Sequence, residues 1–154
     1  MKTDCSVVKF KLDDYVIKQG KRIGIDFAPS RAHGTDAGAD IRCVRDFTVP
    51  PMCSVVVDTG LHIELPPNTK CEIKSKSGLN VNHGILTTGL IDEGYTGVIK
   101  VRVYNFGTEG YHFSAGDEIT QLVVSQVCYP TFEQVESIDG GERGDAGFCS
   151  TGKR

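Results

Sequence analysis

The feature that most constrains the fold of this chain is an alternation of apolar and polar residues with a period of two. Between Ile99 and Tyr104, every second residue is β-branched and apolar, and the residues between them are charged or aromatic. Successive side chains of a strand point to opposite faces of a sheet, so this pattern indicates strands with one buried face. Only residues 77–82, SGLNVN, are compatible with a short helix, and we expect no long amphipathic helix.

Strand-like runs recur along the chain between turns rich in Gly, Pro and Asn. The runs read KRIGIDF, FTVPPM, SVVVDTGLHIEL, KCEIKS, GVIKVRVYNF and EITQLVVSQV. Many short strands at this spacing are typical of an all-β barrel or sandwich. We predict one β-barrel domain at residues 21–136, preceded by an N-terminal extension at residues 1–20 and followed by a flexible Gly-rich arm at residues 137–154.

Composition and charge argue against several classes of protein. The 154 residues suffice for one domain with a substantial core, and their net charge of −3 is unlike that of nucleic-acid binders, which are usually basic. No run of about 18 apolar residues is present, so we expect no membrane span. The charged N-terminal residues do not read as a signal peptide. We therefore expect a cytoplasmic protein, or one in the host-cell nucleus if it is viral in a eukaryote.

Cysteine and histidine do not form recognisable ligand patterns. The six cysteines are scattered without a CxxC pair, and the four histidines have no ligand spacing. This predicts reduced thiols rather than a zinc or redox site.

The densest cluster of reactive side chains lies in GLIDEGYTG, residues 89–97. Two strands flank a tight turn that carries Asp92, Glu93 and Tyr95, with glycine at both ends. A plain β-hairpin is one interpretation, because Asp and Gly are common turn residues. The other is a rigid hairpin that presents a carboxylate and an aromatic ring to a pocket, while its backbone reads the edge of a base.

Four other stretches are weak signals when each is taken alone. KSKSGLN, residues 74–80, places a hydroxyl and a glycine between cations, which suits a phosphate but also a strand end before a helix cap. AGADI, residues 37–41, reads as a turn, and GDEITQL, residues 116–122, reads as a turn that enters a strand. GFCSTGKR, residues 147–154, approaches the spacing of a P-loop, but Arg154 stands where a P-loop has Ser or Thr.

The order and spacing of these stretches resemble the five motifs of the trimeric deoxyuridine triphosphatases, the dUTPase family. The matching stretches are AGADI, KSKSGL, GLIDEGYTGVIKVRVYN, GDEITQLVV and RGDAGFCSTG, and the likeness covers residues 23–152. The resemblance implies a jelly-roll-like β-barrel assembled as a homotrimer with shared active sites. It also implies Mg²⁺-dependent hydrolysis of dUTP to dUMP and pyrophosphate, which keeps dUTP low and supplies dUMP for thymidylate synthesis.

The resemblance further implies a role for each site residue. Asp92 is expected to be the general base that activates water, Tyr95 to lie under the deoxyribose, and Asp40 to approach the metal through water. The remaining expected substrate contacts are Gly89 and Ile91 for uracil, Lys76, Ser77, Gly78 and Gln121 for the phosphates, Phe148 stacked on uracil, and Arg143, Ser150 and Thr151 on the γ-phosphate. The last four lie in the arm, which is expected to close over bound substrate.

Two positions depart from the family pattern, and two alternative functions stay open. Lys76 stands where the family usually has Arg and lacks the planar fork for a bidentate phosphate contact. Cys149 replaces a usual glycine, and its Cβ disfavours a positive φ. One alternative is a dCTP deaminase of the same fold, although that family lacks this arm. The other is a non-catalytic trimer that regulates a protein partner, and an added regulatory role with an unknown partner is compatible with the sequence.

Overall fold

The structure is a computed structural model that describes residues 7–144. Within this range the chain forms mostly β structure, as the alternating pattern predicts. The elements are β1 (Lys9–Leu12), α1 (Asp14–Ile23), β2 (Ala39–Arg42), β3 (Phe47–Val49), β4 (Ser54–Asp58), β5 (Leu61–Glu64), β6 (Thr69–Lys74), α2 (Ser77–His83), β7 (Ile85–Ile91), β8 (Lys100–Asn105), β9 (Tyr111–Phe113) and β10 (Glu118–Gln126).

The strands form one large sheet and two small ones. The large sheet has six strands in the order β2-β10-β6-β7-β8-β4, and the two small sheets pair β1 with β5 and β3 with β9. Each of these pairs is antiparallel. Most sheet neighbours are therefore far apart in sequence, which is why short local motifs meet only after the whole domain has folded.

One apolar core lies between the sheets and follows the alternation of the sequence. In β8 the buried side chains are Val101, Val103 and Asn105, with more exposed residues between them. Cys43 and Cys71 belong to the same core, and burial raises the pKa of each thiol to about 11. These two thiols are therefore protonated and inert at neutral pH.

The N-terminal region contains a helix that we did not predict from the sequence. Helix α1 occupies residues that we expected to form an extension and the start of the strand-like run KRIGIDF, and it ends at Gly24, which has a φ of 71°. Its one fully buried side chain is Val16, which packs with Phe27 and Val44. Gly20 faces Ile25, since a Cβ there would lie 2.6 Å from the Ile25 carbonyl oxygen. The helix is amphipathic, because Val16, Gly20 and Ile23 share its packed face. The sequence therefore does carry a helical period here, and the strand-like reading of residues 21–23 was wrong.

The short helix predicted for residues 77–82 is present as α2. It stops at Gly84, whose left-handed backbone lets its N–H reach the carbonyls of Leu79 and Asn80. Neither helix of residues 7–144 has the length and apolarity needed to cross a membrane.

Candidate active site

Strand β7 is paired along one edge near its end and along the other edge only near its start. Strand β6 pairs with it from Thr88 to Ile91, whereas β8 pairs with it only from Ile85 to Thr87. The arms of the predicted hairpin therefore separate after Thr87. Among the described residues no strand covers the second edge of Thr88–Ile91, so its backbone N–H and C=O groups can bind a ligand.

A cavity of about 350 Å³ lies where the two arms separate. This volume is within the range of small-molecule sites. The lining residues are Ile73, Thr88, Gly89, Leu90, Ile91, Asp92, Tyr95, Val98, Ile99, Lys100 and Arg102. The structure thus brings together four of the residues predicted for the base, the sugar and the water: Gly89, Ile91, Asp92 and Tyr95.

The turn that follows β7 presents Asp92 and Tyr95 at the mouth of this cavity. The Tyr95 N–H donates to the Asp92 carbonyl over 3.0 Å, and the Tyr95 hydroxyl donates to the Val98 carbonyl over 2.9 Å. Gly97 lies directly against the ring, because a Cβ there would be 2.5 Å from the tyrosine hydroxyl oxygen. Glycine at this position therefore allows the ring to fold back along the turn.

Two predicted residues, Asp40 and Lys76, join Arg42 and Glu118 in a second group, which we call the charged cluster. The Lys76 ammonium donates to Asp40 Oδ1 over 2.6 Å and to Glu118 Oε2 over 2.7 Å. Arg42 Nη2 donates to Glu118 Oε1 over 2.6 Å. Two cations and two carboxylates are thus joined in one chain of ion pairs, and all four side chains are partly buried.

The ion pairs shift the pKa values of the central two groups in opposite directions. Burial disfavours the charged form of Lys76, but its hydrogen bonds with Asp40 and Glu118 outweigh burial and raise its pKa. The hydrogen bond from Lys76 is the main reason why the pKa of Glu118 is lowered. At neutral pH Lys76 is therefore a cation and Glu118 an anion, and each holds the other in place.

Gln121, Ser77 and Gly78 border the charged cluster. Gln121 pairs with Asp40 across the β2–β10 register, and its Nε2 donates to the Ser75 carbonyl over 2.9 Å. Ser77 and Gly78 are exposed at the first turn of α2, where backbone N–H groups without helical partners can bind an anion. These three residues and Lys76 together present donors suited to a polyphosphate.

The charged cluster can support a hydrated divalent cation but cannot enclose a bare one. Among residues 7–144 there is no group of three or more His, Cys, Asp or Glu side chains placed to hold a metal. Mg²⁺ typically keeps several waters and binds through one or two carboxylates and substrate phosphates. Asp40, whose Oδ1 already accepts from Lys76, fits the predicted contact through water.

On one chain, Asp40 lies in β2 and Asp92 lies just after β7. The sheet register places Asp40, Gln121, Lys74 and Thr88 in one row across four strands, and Asp92 lies four residues beyond Thr88. With about 4.8 Å per strand and about 3.4 Å per residue, the diagonal across the sheet from Asp40 to Asp92 is roughly 20 Å. The predicted base and the predicted metal carboxylate therefore lie on different parts of the sheet of a single chain.

The C-terminal part of the described chain lies outside the sheets. Residues 127–144 form neither helix nor strand, and Phe132 and Ile138 are almost fully exposed. Arg143 is exposed in a turn closed by the bond from the Gly144 N–H to the Gly141 carbonyl. Phe148, Cys149, Ser150 and Thr151 lie outside the described residues, so the predicted contacts of the arm stay predictions.

Sequence reasoning missed two members of the charged cluster and one glycine that shapes it. Arg42 shares a strand face with Asp40, so the period of two could have identified it. Glu118 lies within GDEITQL but pairs with Arg42 beside a β-bulge, which no local pattern encodes. Gly38 lies against Gln121, since a Cβ there would be 2.2 Å from the Gln121 side-chain oxygen.

Comparison with known proteins identifies the family. The family model described as dUTPase matches residues 27–152, which is most of the chain. The chain belongs to the dUTPase family. This finding confirms the resemblance seen in the five motifs.

Two relatives illustrate how far the similarity extends. The human mitochondrial deoxyuridine 5'-triphosphate nucleotidohydrolase is 41% identical over 127 residues, which cover 82% of this chain and 50% of that protein. The chain thus spans about half the length of the human relative. The enzyme of the same name from Clostridium kluyveri is 40% identical, over 80% of this chain and 89% of its own length.

The fold is shared with a solved structure of the family. The dUTPase of Staphylococcus bacteriophage 80alpha, solved with dUPNHPP, has a TM-score of 0.83 and covers 96% of this chain and 99% of its own. It is only 24% identical, so this likeness concerns the fold. Together with the family match it confirms the predicted all-β, jelly-roll-like fold. The names of the relatives agree with the predicted activity and do not favour the alternative dCTP deaminase.

Proposed function

We propose that this chain is a dUTP diphosphatase that hydrolyses dUTP to dUMP and pyrophosphate with an Asp92-activated water and Mg²⁺. The observation that carries the proposal is the uncovered edge of Thr88–Ile91 inside the cavity, with Asp92 and Tyr95 at its mouth. A member of the dUTPase family with this arrangement has the groups for base recognition and for hydrolysis side by side.

The uncovered strand edge suits uracil better than cytosine. Uracil presents one N–H between two carbonyl oxygens, and a strand edge offers N–H and C=O groups in alternation. Cytosine replaces that N–H by an acceptor and one carbonyl by an amino group, so buried backbone groups would lose their partners. Such mismatches can reduce kcat/KM by about 10⁴-fold. Tyr95 at the cavity mouth is proposed to exclude a ribose 2′-hydroxyl.

Asp92 is proposed to act as the general base. Its side chain is exposed at the cavity mouth, where a water can reach it. The carboxylate takes a proton from that water as the water oxygen bonds to the α-phosphorus. The bond from the α-phosphorus to the bridging oxygen then breaks, and pyrophosphate leaves. A well-placed base contributes about 10²–10⁴-fold. No covalent intermediate is required, because phosphoryl transfer depends mainly on position and on neutralised charge.

The charged cluster is proposed to receive the phosphates. Lys76 supplies positive charge, Ser77 and the Gly78 backbone supply hydrogen-bond donors, and Gln121 borders the same surface. Asp40 would hold Mg²⁺ through water, and the ion when bound would neutralise phosphate charge. In the arm, Arg143, Ser150 and Thr151 are proposed to bind the γ-phosphate and Phe148 to stack on uracil.

We infer that the active unit is a homotrimer with shared sites. The offset of three strands and four residues between Asp40 and Asp92 along the sheet supports this assembly, because it puts the two carboxylates on different parts of one chain. A second chain would bring its charged cluster to the cavity of the first. A third would contribute its arm.

The proposed activity is tested by comparing dUTP, dCTP, dTTP and UTP in one assay with Mg²⁺, with pyrophosphate and ammonia both measured. We expect pyrophosphate from dUTP with kcat/KM at least about 10²-fold above that for the other three nucleotides. Ammonia from dCTP would identify a deaminase instead. Absence of turnover on all four would contradict the proposed function.

A further inference from the structure

The turn that carries Asp92 is attached to two other parts of the chain through a single carboxylate. Glu93 Oε2 accepts a hydrogen bond from the Asn68 N–H over 2.9 Å and a short one from the Tyr129 hydroxyl. The hydrogen bond to Glu93 is also the main reason why the pKa of Tyr129 is raised, so its hydroxyl stays a donor at neutral pH.

The backbone conformation of Asn68 allows this contact. It lies in the loop before β6 and has a φ of 59°, a left-handed conformation that Asn adopts more readily than most residues. Its N–H donates to Glu93, while its carbonyl accepts from the Val127 N–H over 3.0 Å. The loop before β6, the segment after β10 and the turn after β7 therefore meet at one point.

The turn after β7 is held in place by contacts with other parts of the chain, because within residues 7–144 its residues are not paired with a strand of the sheet. Its backbone carries the bond from the Tyr95 N–H to the Asp92 carbonyl, and Asp92, Gly94 and Tyr95 are exposed. On the far side, His62 Nδ1 bonds the Thr96 carbonyl over 2.8 Å. Glu93 is the neighbour of Asp92, so its bonds are the ones that act most directly on the position of the Asp92 carboxylate.

A purely stabilising role does not account well for this contact. Tyr129 is 63% exposed, so its ring buries little apolar surface, and an exposed hydrogen bond contributes little to the free energy of unfolding. Catalysis is more sensitive, because a displacement of about 1 Å can reduce a rate by about 10²-fold.

We propose that Glu93 is a positioning residue, which holds the turn against Asn68 and Tyr129 so that the Asp92 carboxylate stays in place for proton abstraction. This inference rests on the proposed function, since it concerns the base of that reaction. Glu93 is not proposed to bind substrate. The uncovered edge at Gly89 and Ile91, which is proposed to bind uracil, is held in place by the pairing of β7 with β6 and does not depend on Glu93.

The test measures kcat and KM for dUTP, and the melting temperature, in wild type and four variants: Glu93→Ala, Glu93→Gln, Tyr129→Phe and the double variant Glu93→Ala/Tyr129→Phe. We expect Glu93→Ala to lower kcat by about 10-fold or more and Tyr129→Phe by about 3-fold, with KM changed less than about 3-fold. Glu93→Gln keeps an oxygen that can accept both bonds, so its kcat should stay within about 2-fold of wild type.

The double variant tests whether the two residues act through the same contact. Once Glu93 is removed, the Tyr129 hydroxyl has lost its acceptor, so the double variant should be no slower than Glu93→Ala. Matched controls are Glu64→Ala, which removes an exposed carboxylate paired with Lys9, and Tyr111→Phe, which removes a hydroxyl in the β3–β9 sheet. Both controls should keep the wild-type kcat.

Several results would overturn the inference. One is an unchanged kcat in Glu93→Ala or, if that variant does not fold, in Tyr129→Phe. Another is a lowered melting temperature with normal kcat, which would make the contact merely structural. A double variant that shows the product of the two single losses would assign them to separate contacts. Wild-type protein that leaves dUTP intact would instead contradict the proposed function itself, so the two failures are distinguishable.

Discussion

Single residues in the charged cluster are already neutralised before any substrate arrives. Lys76 is bound to Asp40 and Glu118, and Arg42 holds the second oxygen of Glu118. In the proposed reaction, the triphosphate competes with two carboxylates for the Lys76 ammonium. Lysine suits this exchange, because it is a compact charge with three rotatable donors rather than a rigid fork.

This competition predicts the effect of Glu118→Gln. The amide can still accept hydrogen bonds, but one negative charge beside the phosphate surface is lost. We expect KM for dUTP to fall by about 3–10-fold at low ionic strength, with a smaller difference at high ionic strength, because salt screens the repulsion. The measurement is KM at both ionic strengths, with Glu109→Gln, an exposed carboxylate between β8 and β9, as the control. An unchanged or higher KM at low ionic strength would argue against a phosphate surface here.

At this scale the sequence could predict the candidate residues but not their partners. Asp40, Lys76, Asp92 and Tyr95 stand in motifs whose order points to one family, and the structure places them in the cavity or the charged cluster. The partnership of Glu118 with Lys76 could not be predicted. It arises from the meeting of β2, β6 and β10, strands that are far apart along the chain.

Among the elements, β1 and α1 show that the N-terminal region packs against the rest of the domain. Strand β1 pairs with β5, and the Asp13 N–H donates to the Gly60 carbonyl over 2.8 Å. Val16 is fully buried, and Gly60 lies so close that a Cβ there would be 2.3 Å from Val16 Cγ2. Residues 9–23 are therefore part of the folded domain, although we expected residues 1–20 to lie outside it.

The burial of Val16 predicts a cost for its truncation. Val16→Ala removes two buried methyl groups and should lower the free energy of unfolding by about 1–3 kcal/mol. Ile17→Ala is the matched control: this neighbour on the same helix is 43% exposed, and its truncation should change stability by less than about 0.5 kcal/mol. Denaturant unfolding measures both. Equal effects of the two substitutions would mean that α1 does not pack against the core as described.

The elements that the sequence predicted well are those with one buried face. The run KCEIKS covers all of β6 but its first residue, and GVIKVRVYNF contains β8; their side chains alternate in burial as they do in polarity. Strand β2 was read as a turn because it has only four residues. Helix α1 is amphipathic, but it has only ten residues and one fully buried side chain, and its last residues were read as the start of a strand-like run. Alternation of apolar and polar residues therefore predicts strands with one buried face. It does not reveal short strands or elements with little burial.

For the whole molecule, the separation between Asp92 and the charged cluster predicts that active sites need more than one chain. Chains carrying Asp92→Asn and chains ended after Asp139 should each be inactive in the proposed trimer, because one lacks the base and the other lacks the arm. Unfolded together and refolded as mixed trimers, they should recover part of the wild-type turnover, since some sites then contain one intact copy of each part. Size-exclusion chromatography establishes the trimer, and each parent refolded alone is the control. Mixed trimers without activity would indicate sites built within one chain.

The most direct test of the account is a single-turnover comparison of wild type and Asp92→Asn, with enzyme in excess over dUTP and with Mg²⁺ present. Carboxylate and amide have the same shape, so the variant should fold and bind a non-hydrolysable dUTP analogue as wild type does. Wild type should convert dUTP to equal amounts of dUMP and pyrophosphate, and the variant should do so at least about 10²-fold more slowly. Equal rates in the two proteins would remove Asp92 from the role of base, and intact dUTP in both would contradict the proposed reaction.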